Sequence, residues 1–266
     1  MIILLIVFCG CANDITIEKD KIIKEDHEFD LTVYRGACFP EVSDKYVYPI
    51  VPGMEEWLEA NQVIGGTLIF NQLPDTVLKS ISTTGLIDAL IHAPLFVNSG
   101  AFTNLNDLQW FLNEIYPKIN SASELFNRKD AGDVLVAFYN YTCFDCIETL
   151  IGVEPWVLGV SFYELWLLRR IMGLEFLFTK QEILDKIGHE KKKEVVAALL
   201  AKYEQRPDYI NAIYPMVYLM FADEYAPIVK YSQEHDKEFH FILNGYLNSS
   251  YQVDLIVSYA KSFINN

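Results

Sequence analysis

Through most of this chain, apolar residues return at three- and four-residue intervals, in short stretches broken by proline and small polar residues. The stretch that organises the rest is Ser161–Phe178, SFYELWLLRRIMGLEFLF. It has no proline and is apolar on nearly every side, which is the pattern of a helix that others pack around. Ser161 followed by Glu164 reads as a capping box opening it. Arg169 and Arg170 fall on its narrow polar strip, and Leu168 is expected to be fully buried. A transmembrane reading fails on charge. Glu164, Arg169, Arg170 and Glu175 lie along the segment, and each charge near a bilayer centre would cost roughly 2.5–3.5 kcal/mol.

Shorter amphipathic segments surround this one. Pro74 can open a helix over Thr76–Ile81. Thr83 or Thr84 caps Leu86–Ile91, and Pro94 closes it. Leu105, Leu108, Phe111, Leu112 and Ile115 make a helical stripe ended by Pro117. Capping-box patterns recur at Ser121–Glu124, Thr179–Glu182 and Ser249–Gln252, the last leading into Leu255, Ile256, Tyr259 and Phe263. Lys191–Tyr203 carries Val195, Val196, Leu199, Leu200 and Tyr203 on one face, and Lys191, Lys192 and Lys193 read as its solvated side. Pro207 can open a further helix through Ile210, Ile213, Met216, Val217 and Met220. No repeat of constant period is present, so a regular helical-repeat array is not expected. The fold class is all-α: an irregular array of antiparallel helix pairs, superhelix-like, around a central buried helix.

The chain opens differently. Residues 1–11 read MIILLIVFCGC, an apolar run closed by Gly10-Cys11. This resembles the signal peptide of a bacterial lipoprotein, a family in which the cysteine after the small residue is diacylated and becomes the mature N-terminus. The matching position is Cys11, with Phe8 as the apolar residue three places before it. The resemblance implies a signal peptide over 1–10, lipidation at Cys11 and residence in the cell envelope. Residues 12–30 are polar and of mixed charge without a helical stripe, as suits a tether. Leu31–Phe39 has the composition of a short strand ended by Pro40. The tether is placed at 11–44 and a helical domain at 45–266.

Three runs within that domain resemble a group of secreted or lipid-anchored bacterial proteins that carries no assigned activity. They are YPIVPGMEEW (Tyr48–Trp57), LPDTVLKSISTTGLIDALIHAPLF (Leu73–Phe96) and ELFNRKDAGDVLVAFY (Glu124–Tyr139). The resemblance spans about residues 46–200. It implies an extracytoplasmic location and a helical fold, and it carries over no catalytic residue.

Composition narrows the functional classes. At 266 residues and 52% hydrophobic, the chain can bury a large core. A formal net charge of −15 repels phosphate backbones, which excludes nucleic acid as a partner and favours basic or neutral ones. Cys143-Phe-Asp-Cys146 is the sharpest local motif. Thiol–disulfide chemistry needs two such thiols at a helix N-terminus. Here Thr142 stands where that chemistry usually has tryptophan, and Leu135, Phe138, Tyr139 and Thr142 form a helical stripe, so a core pair or local disulfide is the expectation. Excluding Cys9 and Cys11, only Cys38 remains beside this pair, which permits one bridge and no disulfide scaffold. No second C-x-x-C or suitably spaced histidine pair completes a zinc site. His235 and His240 stand five apart in EHDKEFH, a spacing that does not share a helix face, and read as an exposed acidic loop with His240 partly packed. His92 ends a helix, where imidazole can cap carbonyls. The functional expectation is a membrane-anchored lipoprotein that binds or scaffolds an unidentified protein or small molecule, with no cofactor, metal or catalytic residue assigned. The alternative is a thiol–disulfide oxidoreductase using Cys143 and Cys146.

Overall fold

The stripes and breaks in the sequence become thirteen α-helices joined by 3₁₀ turns, seen in a computed structural model that describes residues 38–63, 65–96, 105–142, 160–207, 209–247 and 249–266. Among the described residues there is no strand. In order the helices are α1 (Glu55–Ala60), α2 (Asp75–Ser80), α3 (Thr83–Ile91), α4 (Leu105–Ile115), α5 (Asn120–Asn127), α6 (Ala131–Tyr141) and α7 (Val160–Leu177). After them come α8 (Gln181–Leu184), α9 (His189–Gln205), α10 (Ile213–Ala222), α11 (Ala226–Glu234), α12 (Asp236–Leu243) and α13 (Ser250–Asn265). The all-α expectation therefore holds. Most of the Leu31–Phe39 segment lies outside the described residues.

Two groups of helices share one continuous core that runs from Cys38 to Phe263. In the first, α3 packs on α5, α6 and α7, and α8 lies against α5 and α6. In the second, α9 packs on α10 and α13, and α10 also meets α11 and α12. The groups join where α9 meets α6 and where α7 meets the 3₁₀ turn Ile210–Ala212. The packed region begins upstream of Tyr48, because Cys38, Phe39 and Val42 are already core.

The sequence runs Leu73–Phe96 and Glu124–Tyr139 hold each other. α3 is capped by Ser82, whose hydroxyl accepts from the Gly85 N–H at 2.9 Å, one or two residues earlier than Thr83 or Thr84. Asp44 takes the Ser82 N–H at 2.6 Å and so fixes the cap. Thr83, released from capping, donates to Asp130 at 2.8 Å at the start of α6. Gly132 lets α6 come close to the end of α8: a Cβ there would stand 2.8 Å from the Lys186 carbonyl oxygen.

Only one of the four expected capping boxes shows its cap bond in the described atoms. The Ser249 hydroxyl accepts from the Gln252 N–H at 3.3 Å. Ser121 lies inside α5, its hydroxyl buried without a hydrogen-bond partner, while Glu124 turns to Arg128 at 2.6 Å. Thr179 donates back to the Phe176 carbonyl, and α8 starts only at Gln181. Ser161 is already within α7, which starts at Val160. A hydroxyl can satisfy several nearby backbone groups, and the four-residue pattern does not say which one it takes. Pro207 opens no α-helix either. The next one begins at Ile213 and carries Pro215 in its first turn, where the missing N–H costs no bond.

The middle of α7 departs from expectation in its polar residues. Leu167, Ile171 and Leu174 are buried as a central helix requires, but Leu168 is only partly covered. Arg169, Arg170 and Glu175 are buried, with Glu175 at 0% exposure. The supposed polar strip is an interior face, and at Glu175 partners far along the chain supply the hydrogen bonds. Lys192 is likewise buried, its ammonium 3.2 Å from the Ala222 carbonyl and 3.5 Å from Asp223, so the lysine run is not wholly solvated.

Candidate functional site

Two places gather polar chemistry: the interior around Glu175 and a surface groove between α11 and α13. In the first, α7 presents Glu175 to residues from α6 and the Tyr209–Asn211 corner. Glu175 Oε1 accepts from the Tyr139 hydroxyl at 2.7 Å. Oε2 accepts from the Tyr209 hydroxyl at 2.7 Å and from the Asn211 amide at 2.6 Å. The Lys202 ammonium lies 4.0 Å above the Tyr139 ring centre. Burial pushes the Glu175 carboxyl above the usual carboxylate range, and the three donors with nearby Lys202 pull the other way. The Tyr209 phenol is raised by burial and by the adjacent Glu175. This cluster ties α6, α7 and α9 together, and a carboxylate this fully covered is a packing element.

The groove is built in the second group of helices. After α10 the chain turns sharply through Glu224, the one residue other than glycine with a left-handed backbone among those described (φ 52°). Asp223 anchors the turn to the start of α9 through His189 and Lys192. α11 then runs to Glu234, and the single residue His235 separates it from α12. Across that break Tyr231 donates to Glu238 at 3.1 Å, and the His235 ring leans on the Tyr231 ring with centroids 4.8 Å apart. These contacts brace the corner.

Facing it, α13 buries Gln252, Val253, Ile256, Ala260 and Phe263. The adjacent face, Tyr251, Leu255 and Tyr259, looks across at Lys230, Tyr231 and Glu234. Between them lies an open cavity of about 490 Å³. That falls within the range of roughly 300–1,000 Å³ usual for ligand pockets. Tyr251 is 70% exposed at its rim. Burial, with the neighbouring Glu238, pushes the Tyr231 phenol up to about 12. Tyr259 is raised by burial and by Tyr251 and Glu234. Tyr231 and Tyr259 are thus neutral phenols at physiological pH, and Glu234, Glu238 and Lys230 line the same groove.

Of the residues singled out from sequence, His235 lines this groove, with Glu234 and Glu238 of the same EHDKEFH run. Cys11, Cys143 and Cys146 lie outside the described residues. The helical stripe before the C-x-x-C is real, with Leu135, Phe138, Tyr139 and Thr142 all buried. Cys38 is disulfide-bonded, to a cysteine outside the described residues. His92 does end α3, its Nδ1 2.8 Å from the Asp88 carbonyl and 3.1 Å from the Asp88 carboxylate. His235 and His240 belong to a helix and its cap, not to a loop, and the His240 side chain is 68% exposed. Leu255 and Tyr259, on the core stripe by their spacing, line it too. The missed signal is a second stripe, Tyr251, Leu255 and Tyr259, running one residue out of phase with Gln252, Ile256 and Ala260.

Among the described residues no helix is long and apolar enough to cross a membrane. Comparison of the chain with known protein families, curated proteins and solved structures finds no match.

Proposed function

We propose that this protein is a membrane-anchored extracytoplasmic lipoprotein that works as a binding module, with the α11–α13 groove as its binding site. The groove carries the reading: it is open, of ligand size, walled by tyrosines and braced by the Tyr231–Glu238 bond. The anchor rests on the apolar run ending in Gly10-Cys11, and the extracytoplasmic location also on the likeness of runs within Tyr48–Tyr139 to secreted or lipid-anchored bacterial proteins. A tether of some 30 residues between Cys11 and the core would hold the groove clear of the bilayer surface.

One paired experiment tests both halves. Cys11→Ala in a bacterial host is expected to move the protein from the membrane to the soluble fraction and to abolish fatty-acid labelling; retained labelling would sink the anchor. A thermal-shift screen of peptides, oligosaccharides and amphiphiles is then repeated on Tyr251→Ala. Stabilising compounds are expected to lose their effect. If every compound acts equally on the variant, the groove is not the site.

A further inference from the structure

The composition of the groove says which ligands it would take, an inference that rests on the binding reading above. Its rings are the phenols of Tyr231, Tyr251 and Tyr259 and the His235 imidazole, and tyrosine faces attract cations through the ring quadrupole. Glu234 and Glu238 stand on the α11–α12 side, opposite Tyr251 and Tyr259 on α13. Neither carboxylate is tightly held by a cation. Lys230 lies 3.8 Å from Glu234, and His235 lies 3.9 Å from Glu238, with all four side chains about half exposed or more. Such exposed pairs contribute little and are readily exchanged for a better partner. Around this groove the whole chain carries a formal charge of −15, which draws cations toward it.

We propose that the groove recognises a basic peptide segment, with one arginine side chain lying between the Tyr251 and Tyr231 rings and its guanidinium on Glu234 and Glu238. A planar guanidinium stacks on an aromatic face and forks onto a carboxylate in one pose, which an ammonium cannot do. Lys230 is the intramolecular stand-in that the arriving guanidinium displaces from Glu234. The cavity holds more than one side chain, so the flanking peptide backbone lies along Leu255 and Tyr259 on α13.

The test uses the full chain in detergent, titrated by calorimetry with an N-acetylated, C-amidated Gly-Arg-Gly tripeptide. The same peptide with glutamine in the middle, agmatine, and a neutral chitotriose serve as comparisons. Binding of the arginine peptide is expected, falling as salt rises, with the glutamine peptide at least tenfold weaker. Tyr251→Ala and Glu234→Gln should each weaken it fivefold or more, and Tyr251→Phe should leave it within twofold. Lys230→Met should tighten it severalfold, an outcome that mere damage to the fold would not produce. No binding of the arginine peptide, or equal binding of the glutamine peptide, overturns the proposal. Agmatine binding as tightly as the peptide overturns the peptide partner. Chitotriose binding that Tyr251→Ala abolishes, with the arginine peptide inert, overturns the basic ligand and leaves the groove standing as a binding site.

Discussion

Replacing Glu175 with alanine removes the acceptor of three buried hydrogen bonds at once, from Tyr139, Tyr209 and Asn211. Leaving a buried donor without its acceptor costs about 1–3 kcal/mol, and the missing side chain leaves a cavity as well. Three such donors come to roughly 3–9 kcal/mol before the cavity is added, a large part of the ~5–15 kcal/mol that holds a typical domain folded. Glu175→Gln is different. Its oxygen can stay with Tyr209 and Asn211, and the Tyr139 hydroxyl can turn to accept from the new amide, so the cost should be about 1 kcal/mol.

The pH dependence adds a signed check. Burial raises the folded-state pKa of this carboxyl above its unfolded value of about 4.3. The stability it contributes is whole below that unfolded value and declines as pH rises through the folded one. The penalty of Glu175→Gln relative to wild type should therefore be largest near pH 4 and shrink toward pH 7. Urea unfolding of wild type and both variants across that range measures it. An alanine variant within 1 kcal/mol of wild type would refute the network as a packing element. A glutamine penalty that grows with pH would show the interior to prefer the carboxylate.

Two further outcomes are expected. The Tyr231 phenol should ionise near pH 12, visible in ultraviolet difference spectra between wild type and Tyr231→Phe; its stabilising contribution should be whole below about pH 10 and lost above, and a midpoint near 10 would contradict its burial and its bond to Glu238. Non-reducing peptide mapping should find Cys38 bridged to Cys143 or Cys146, because the neighbouring Phe39 packs on Phe138, one turn before α6 ends; a bridge to Cys11 would refute this and lipidation together.

How much of this was legible depended on whether a residue's partner is local. Helix positions follow from stripes such as Leu108, Phe111 and Leu112, all now buried, because amphipathic spacing records which face meets the core. Sequence puts Arg169 and Arg170 on a polar strip and Lys192 on a solvated side because charge is costly to bury alone, and one sequence shows no partner 30 or more residues away, such as Ala222 and Asp223 for Lys192. Tyr209 and Asn211 stand 34 and 36 positions from Glu175. The groove was hidden for a related reason. Tyr251, Leu255 and Tyr259 look like part of a core face until α11 is seen to run opposite them, and that pairing depends on the turn at Glu224.

Gly173 carries a consequence for how the molecule comes apart. On one side of α7 it admits Phe96 and Tyr116 so closely that a Cβ would sit 2.6 Å from the Phe96 ring, and Tyr116 donates to the Gly173 carbonyl at 2.8 Å. Nearly opposite, two residues on, Glu175 reaches Tyr139 and the Tyr209–Asn211 corner. One helix thus completes both groups of helices, and neither can close its interior while α7 is displaced. A chain of 266 residues is long enough for two independently melting units. Here the shared helix couples them, so loss of either group would expose the other, and the described core is expected to unfold as one cooperative body.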